Sequence, residues 1–173
     1  HSIEHALAAQ SVDRVIVSTE DEEIAATARA HGAEVPFMRP AELAGDEVLD
    51  HPVFEHVLDT LERSEGYAPE VVVHLRPTAP YRSAIWIDEA IEQLLAHPEA
   101  DSIRSVSPPH SHPYRVFRIA ENGFLDPLMK HEHPQPYLLR RQDLPPMYYY
   151  NCVIDVAYAR TIRQKGSMTG DRI

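Results

Sequence analysis

Two arginines, Arg76 and Arg82, bracket a short loop that reads Arg76-Pro77-Thr78-Ala79-Pro80-Tyr81-Arg82. It follows Val71-Val72-Val73-His74-Leu75, a run of branched apolar residues short enough to be a strand buried on both faces. In open α/β sheets ligands sit at the carboxyl ends of strands, and this loop leaves such an end. Guanidinium groups there suit a phosphate or carboxylate, because arginine offers permanently charged, bidentate donors. A Pro-stiffened connector with solvated arginines fits the same residues, and both readings stay open at this point. The histidine pairs His110/His112 and His131/His133 invite zinc, but Cys152 is the only thiol and both pairs fall in loops, which favours solvated imidazoles. Tyr148-Tyr149-Tyr150 offers stacking surface for a sugar, although strand alternation usually splits such a run between two faces. Asp13, Asp88 and Glu89 read as solvated turn or helix charges.

Composition narrows the field. A chain of 173 residues is long enough to bury a core, and a net charge of -11 argues against nucleic acid or an anionic membrane as partner. Of 16 basic residues only Lys130 and Lys165 are lysines, and many arginines fall between periodic segments rather than on helix faces. No apolar run is long enough to span a bilayer and no signal-peptide pattern opens the chain. One cysteine excludes an internal disulfide and fits a reducing cytoplasm. The 15 prolines gather mainly from Pro77 onward, so the second half is loop-rich. Both ends look cut: a helix is already under way at His1, and a strand could be starting at Asp171–Ile173.

The elements that must position the loop alternate. Helix residues 2–9 lead to a strand at 14–18; Thr19 with Glu22 forms a capping-box pattern, and Ile24, Ala25 and Ala28 make one apolar helix face that Gly32 ends. A short strand at 34–37 completes a βαβ unit, with parallel strands and a right-handed crossover expected. After a charged loop at 39–46, a helix from Asp50 carries Val53, Phe54, Val57, Leu58 and Leu61 inward, with Pro52 in its first turn. A third helix, opening at Ser83, carries Ile87, Ala90, Ile91, Leu94 and Leu95, and a strand at 102–106 follows. The rhythm then changes: a short strand at 116–119, a turn at 121–123, an irregular stretch at 126–146, a final strand at 148–157 and a short helix at 159–165. A structureless stretch of about twenty residues is unusual in a compact domain and is often functional; here it suits a lid or an exchanged arm.

Several stretches together resemble one family. Val17-Ser18-Thr19-Glu20-Asp21-Glu22-Glu23-Ile24 is similar to the V-S-T-D-D-E-E-I segment of the acylneuraminate cytidylyltransferases, the CMP-sialic acid synthetases. Gly32–Phe37 with Arg39-Pro40-Ala41-Glu42-Leu43-Ala44 resembles that family's next block, and the 76–82 loop its Q-P-T-S-P-L-R loop. Arg141-Gln142-Asp143-Leu144-Pro145-Pro146 resembles R-Q-x-L-P, and Asn151 stands at the Asn of N-G-x-I-Y. Order and spacing agree over nearly the whole chain.

The resemblance implies an α/β, Rossmann-like nucleotide-diphospho-sugar transferase fold: a mostly parallel sheet flanked by helices in one cytidylyltransferase domain (1–173), with a loop-rich dimerisation and sugar-site region at 107–150. It implies that the C2 hydroxyl of a nine-carbon 2-keto sugar acid attacks the α-phosphorus of CTP, with Mg²⁺ on the phosphates, giving a CMP-sugar and pyrophosphate. It implies Arg39 beside the nucleotide, and Arg76, Thr78, Arg82, Arg115, Arg141 and Asn151 around the sugar. It also implies a homodimer whose long loop reaches the partner's site. Four departures stand out: Arg76 for Gln, Tyr81 for Leu, Cys152 for Gly and Asp155 for Tyr. They suit a divergent branch using another nonulosonic acid, such as legionaminic or pseudaminic acid. The family's basic triphosphate loop and its metal-binding aspartate pair find no match in these residues, so Mg²⁺ ligands are expected outside the segment, and the segment alone is expected to be inactive. A non-catalytic nucleotide-sugar-binding or assembly module, and a 3-deoxy-manno-octulosonate (Kdo) cytidylyltransferase, are the other readings.

Overall fold

The computed structural model describes residues 1–173. Five helices form: α1 (Ser2–Ala8), α2 (Glu22–Ala30), α3 (Asp50–Glu65), α4 (Ala84–Leu95) and α5 (Ala159–Lys165). Five strands accompany them: β1 (Val71–His74), β2 (Ser102–Ser107), β3 (Phe117–Ile119), β4 (Leu125–Pro127) and β5 (Tyr149–Tyr158). The chain divides into two compact units, residues 1–105 with 152–173, and residues 106–151. No helix is long and apolar enough to cross a membrane.

The larger unit is built on a three-stranded sheet in the order β1-β5-β2. Strand alternation in β5 divides its side chains between two faces. Ile154, Val156 and Tyr158 face α4, where Ile87, Ile91 and Leu94 close a core with Ala9. Ala157 points the other way and packs with Leu58 of α3 and Ile162 of α5, flanked by Phe54 and Val72. A third cluster joins Ala25 and Ala28 of α2 to Ala33 and Val35, with Val15 and Val17 against it. These burials follow the helical spacing of the apolar residues, except that Ile24 and Leu95, expected on the inward faces, are 54% and 47% exposed.

The α/β class stands, and two details of the expected sheet differ. β1 and β5 are antiparallel, with Val71 opposite Tyr158 and His74 opposite Asp155. The last strand returns between β1 and β2 rather than extending a parallel series, and hydrophobicity carries no signal for strand direction. Parallel pairing appears at Ile16 and Glu34, where 14–18 and 34–37 meet in a single bridge instead of a full ladder. β1 is half-buried and packed on both faces, Val71 and Val73 against the core under α4 and Val72 against the core of α3 and α5. The cap of α2 also shifts. Asp21 accepts from the Ile24 N–H at 2.9 Å, whereas the buried Thr19 hydroxyl accepts from the Asp21 N–H at 3.1 Å. A carboxylate at the N-cap is favoured by the helix dipole as well as by the bond.

Cys152 adopts φ +61° inside β5. Glycine reaches that conformation without the Cβ penalty, which explains why a Gly suits the equivalent place in the N-G-x-I-Y pattern.

The smaller unit holds the β3–β4 hairpin, in which Phe117 pairs with Pro127 and Ile119 with Leu125. The turn at 121–123 forms with Gly123 at φ +82°, and the second hairpin strand arises inside the segment expected to be irregular. The rest of 126–146 contains only short 3-10 turns at 136–138 and 141–143.

After α5 the chain wraps around one buried carboxylate. Asp101 accepts from Lys165 Nζ at 2.8 Å and from the N–H groups of Asp171 and Arg172 at 2.8 and 3.0 Å. Gly170, at φ +67°, makes this wrap possible, since a Cβ there would lie 2.5 Å from Asp101 Cβ. The ammonium of Lys165 and the two N–H groups hold the Asp101 carboxyl down at about 2. A depressed carboxyl contributes stability above its unfolded value of about 4, and that contribution disappears as pH falls towards 2. Asp101→Asn should therefore lower the urea midpoint at pH 7, with its gap from wild type closing between about pH 5 and pH 2. A gap that stays constant across that range would contradict the assignment.

Candidate functional site

The carboxyl end of β1 gathers one cluster of charged groups in the larger unit. Asp155, in the middle of β5, is buried among Val153, Ile154, Val156 and Ala157 in sequence, and a carboxylate so placed needs cations. Two arginines supply them. Arg76 Nη1 lies 2.5 Å from Asp155 Oδ2, and Arg104 of β2 donates through Nε to Oδ1 at 2.8 Å. Arg76 turns its other nitrogen outward, donating from Nη2 to Asp50 Oδ2 at 2.9 Å at the start of α3. His74 completes the cluster, with Nδ1 3.9 Å from the same Asp50 oxygen and its ring tilted against Phe54 at 4.7 Å. Burial, with the Arg76 charge adding to it, lowers the His74 imidazole from its ordinary value and disfavours its charged form.

The two arginines of the loop have different duties. Arg76 joins the charged row. Arg82 is buried and staples the loop from inside, donating from Nη2 to the carbonyls of Arg76 and Ala79 at 2.7 and 2.5 Å and from Nη1 to Ser2 Oγ at 3.0 Å. Both terminal nitrogens thus donate to protein acceptors while the buried Nε makes no hydrogen bond, a different part from the sugar contact expected of it. Thr78 sits exposed at the turn between these anchors. Tyr81 is 90% exposed, so its hydroxyl faces solvent rather than a core.

Arg39 lies beside the first strand of the βαβ unit. Its N–H donates to Thr19 O at 2.8 Å, its Nη2 donates to Ser18 O at 3.0 Å, and Nη2 pairs with Glu20 at 3.1 Å. Its Nε is buried and makes no hydrogen bond.

In the smaller unit Arg115 is exposed and donates to Leu139 O at 3.3 Å. Arg141 is exposed on the 3-10 turn at 141–143. Asn151 donates through Nδ2 to Ser107 Oγ at 2.9 Å. Among the histidines, His112 Nε2 lies 2.9 Å from Pro145 O and His133 Nδ1 accepts from the Gln135 N–H at 3.2 Å. Their imidazoles fasten loop backbone.

No group of three or more His, Cys, Asp or Glu side chains is placed to hold a metal ion. Asp50 and Asp155 are occupied by arginine.

A family model described as "Cytidylyltransferase" matches residues 1–164. The chain belongs to the cytidylyltransferase family. It is 27% identical over 172 residues to the N-acylneuraminate cytidylyltransferase of Streptococcus agalactiae serotype V, covering 98% of this chain and 39% of that protein. It is 29% identical over 173 residues to the post-translational flagellin modification protein B of Campylobacter coli, covering 98% of this chain and 70% of the relative. Over 111 residues it is 32% identical to the CMP-N,N'-diacetyllegionaminic acid synthase of Legionella pneumophila, covering 62% of this chain and 45% of the other. A solved CMP:2-keto-3-deoxy-manno-octonic acid synthetase, in complex with CTP, shares the fold with a TM-score of 0.60 at 13% identity, over 95% of this chain and 64% of that one. The chain therefore spans about two-fifths of the streptococcal relative.

Within this family, two of the departures from the sialic-acid pattern explain each other. An arginine in place of an uncharged amide and an aspartate in place of a tyrosine form one ion pair across 79 positions of sequence. Asp155 was marked in the sequence only as a departure and Arg104 not at all, yet the two complete the ion cluster around Arg76. The available signal was a lone carboxylate in an apolar strand, which announces a buried cation without saying which one. Replacing Asp155 by alanine leaves two guanidiniums facing each other and should cost about 3 kcal/mol, checked by denaturant unfolding. A loss below about 1 kcal/mol would show the row to be surface electrostatics only.

Proposed function

We propose that the full-length protein forms a CMP-sugar from CTP and a nine-carbon 2-keto sugar acid. The observation that carries this reading is the arginine-bearing loop at the carboxyl end of β1, in a chain whose family match covers 1–164. In the reaction the sugar C2 oxygen forms a bond to the α-phosphorus, the bond to the β-phosphate oxygen breaks, and pyrophosphate leaves. The C2 hydroxyl proton passes to a base or to solvent. Charge builds on phosphoryl oxygens in the transition state, and fixed cationic donors stabilise it.

The residues of this chain supply binding and orientation. Arg39, fixed by the Ser18 carbonyl and Glu20, offers donors to the nucleotide. Arg76 offers a guanidinium to the sugar carboxylate, with Thr78 exposed on the same loop. Arg115, Arg141 and Asn151 belong to the sugar side in this reading, and Arg82 keeps the loop in shape. Relatives named for sialic and legionaminic acids support a nonulosonic acid as substrate. Magnesium is assigned to carboxylates outside these residues. Reaction in the cytoplasm agrees with the free Cys152 thiol.

A second copy of the chain is the proposed partner. Ile119, Phe124, Leu125 and Leu138 of the smaller unit are each more than 60% exposed, an apolar surface that a homodimer would cover. Sedimentation at micromolar concentration should show a dimer, and a fully active monomer would overturn that part of the reading.

The decisive assay is pyrophosphate release by the full-length protein from CTP and Mg²⁺ against a panel of 2-keto sugar acids. Release should require one sugar and fall about tenfold or more in Arg39→Ala. Silence across the panel with CTP binding intact would favour the non-catalytic binding module.

A further inference from the structure

Arg76 is held by two carboxylates of very different standing. The Asp155 side chain is 9% exposed and shared with Arg104, whereas the Asp50 side chain is 50% exposed and stands at the first position of α3. Pulling Arg76 from Asp155 would strand a buried charge; pulling it from Asp50 exposes two groups that water already reaches. The N-terminal end of α3 also favours a carboxylate, so Asp50 keeps electrostatic support without its arginine. The structure thus makes one half of the guanidinium an anchor and leaves the other half exchangeable.

We propose that Asp50 is an internal competitor for the substrate's carboxylate. In the free protein its carboxylate occupies Arg76 Nη2; when the keto sugar acid binds, the sugar carboxylate takes that donor while Nη1 stays on Asp155. Asp50 is a specificity-determining residue in this scheme, because only a ligand carrying an anion repays the displacement. Asp155 is the positioning residue that stops Arg76 following the ligand. The inference rests on the sugar-acid reading of the site given above, and concerns an exchange of ion-pair partners with no covalent step.

The test uses the full-length protein and calorimetric titration with three probes, N-acetylneuraminate, legionaminate and pseudaminate, alongside pyrophosphate kinetics. For whichever acid binds, Asp50→Asn should tighten Kd and lower KM for the acid about two- to fivefold, the span expected for losing an exposed ion pair. KM for CTP should not move. In the Arg76→Gln background the Asp50→Asn effect should vanish, since the competitor then has nothing to release. The methyl ester of the same acid, lacking the charge, should bind wild type and Asp50→Asn alike. Unchanged or weakened acid binding in Asp50→Asn, in a variant whose melting transition remains cooperative, overturns the inference. So does tightening that persists with Arg76→Gln or extends to the ester. Binding without turnover by the wild type would sink the enzyme reading and leave the exchange standing. Binding of none of the three acids overturns both.

Discussion

A carboxylate inside a sheet has to be neutralised where it stands, and much of the larger unit follows from that constraint on Asp155. Strand β5 places it opposite His74, and the cations that meet it come from both flanking segments, Arg76 beyond β1 and Arg104 in β2. One ion cluster therefore ties together three strands that share little sequence proximity. The apolar face of the same strand, with Ile154, Val156 and Tyr158 against α4, provides the burial that sets β5 in place. The charged row is then held in register by packing behind it. Burying ions is poor value for stability taken alone, since well-packed apolar residues often do as well. On the proposed function, a charged row at the carboxyl end of β1 is explained by the anion it would hold ready.

Division of labour between Arg76 and Arg82 follows from the same logic. Two prolines restrict the loop between them, and the Arg82 guanidinium closes it onto the carbonyls of Arg76 and Ala79. Arg76 thus begins from a backbone fixed on one side by Arg82 and a side chain fixed on the other by Asp155. Only its outward nitrogen, on the half-exposed Asp50, keeps an easy alternative. Preorganisation of this kind lowers the ordering cost of binding an anion, because the side-chain entropy is already lost in the free protein.

How much of this could be read from sequence depends on the range of the interaction. Helices α3, α4 and α5 were legible because their apolar spacing and boundary residues are local, as at Ser83 before α4 and Pro52 in the first turn of α3. The direction of β5 was not, because alternating hydrophobicity specifies faces and says nothing about the neighbouring strand. The α2 cap moved from Thr19 to Asp21 since both residues satisfy the local pattern and only the turn geometry chooses. For the candidate site, the loop at the end of β1 was legible, while the carboxylate partners of Arg76 lie 26 and 79 positions away and leave no local trace.

The departures from the sialic-acid pattern carry the remaining argument. Taken singly, an arginine in place of Gln at position 76 looks like a gained contact for substrate, and an aspartate in place of Tyr at 155 looks like a lost aromatic. Together they are nearly charge-neutral, so the pair adds little net field at the site. What changes is the donor presented outward: a planar, permanently charged fork replaces an amide with one donor and one acceptor face. An amide can read a hydroxyl, a carbonyl or an N-acyl group, whereas a guanidinium anchored on one side rewards an anion and penalises a group that cannot accept. On the proposed function, the altered loop bears on which part of the sugar acid would face β1, and it favours the carboxylate over the acylamino arm.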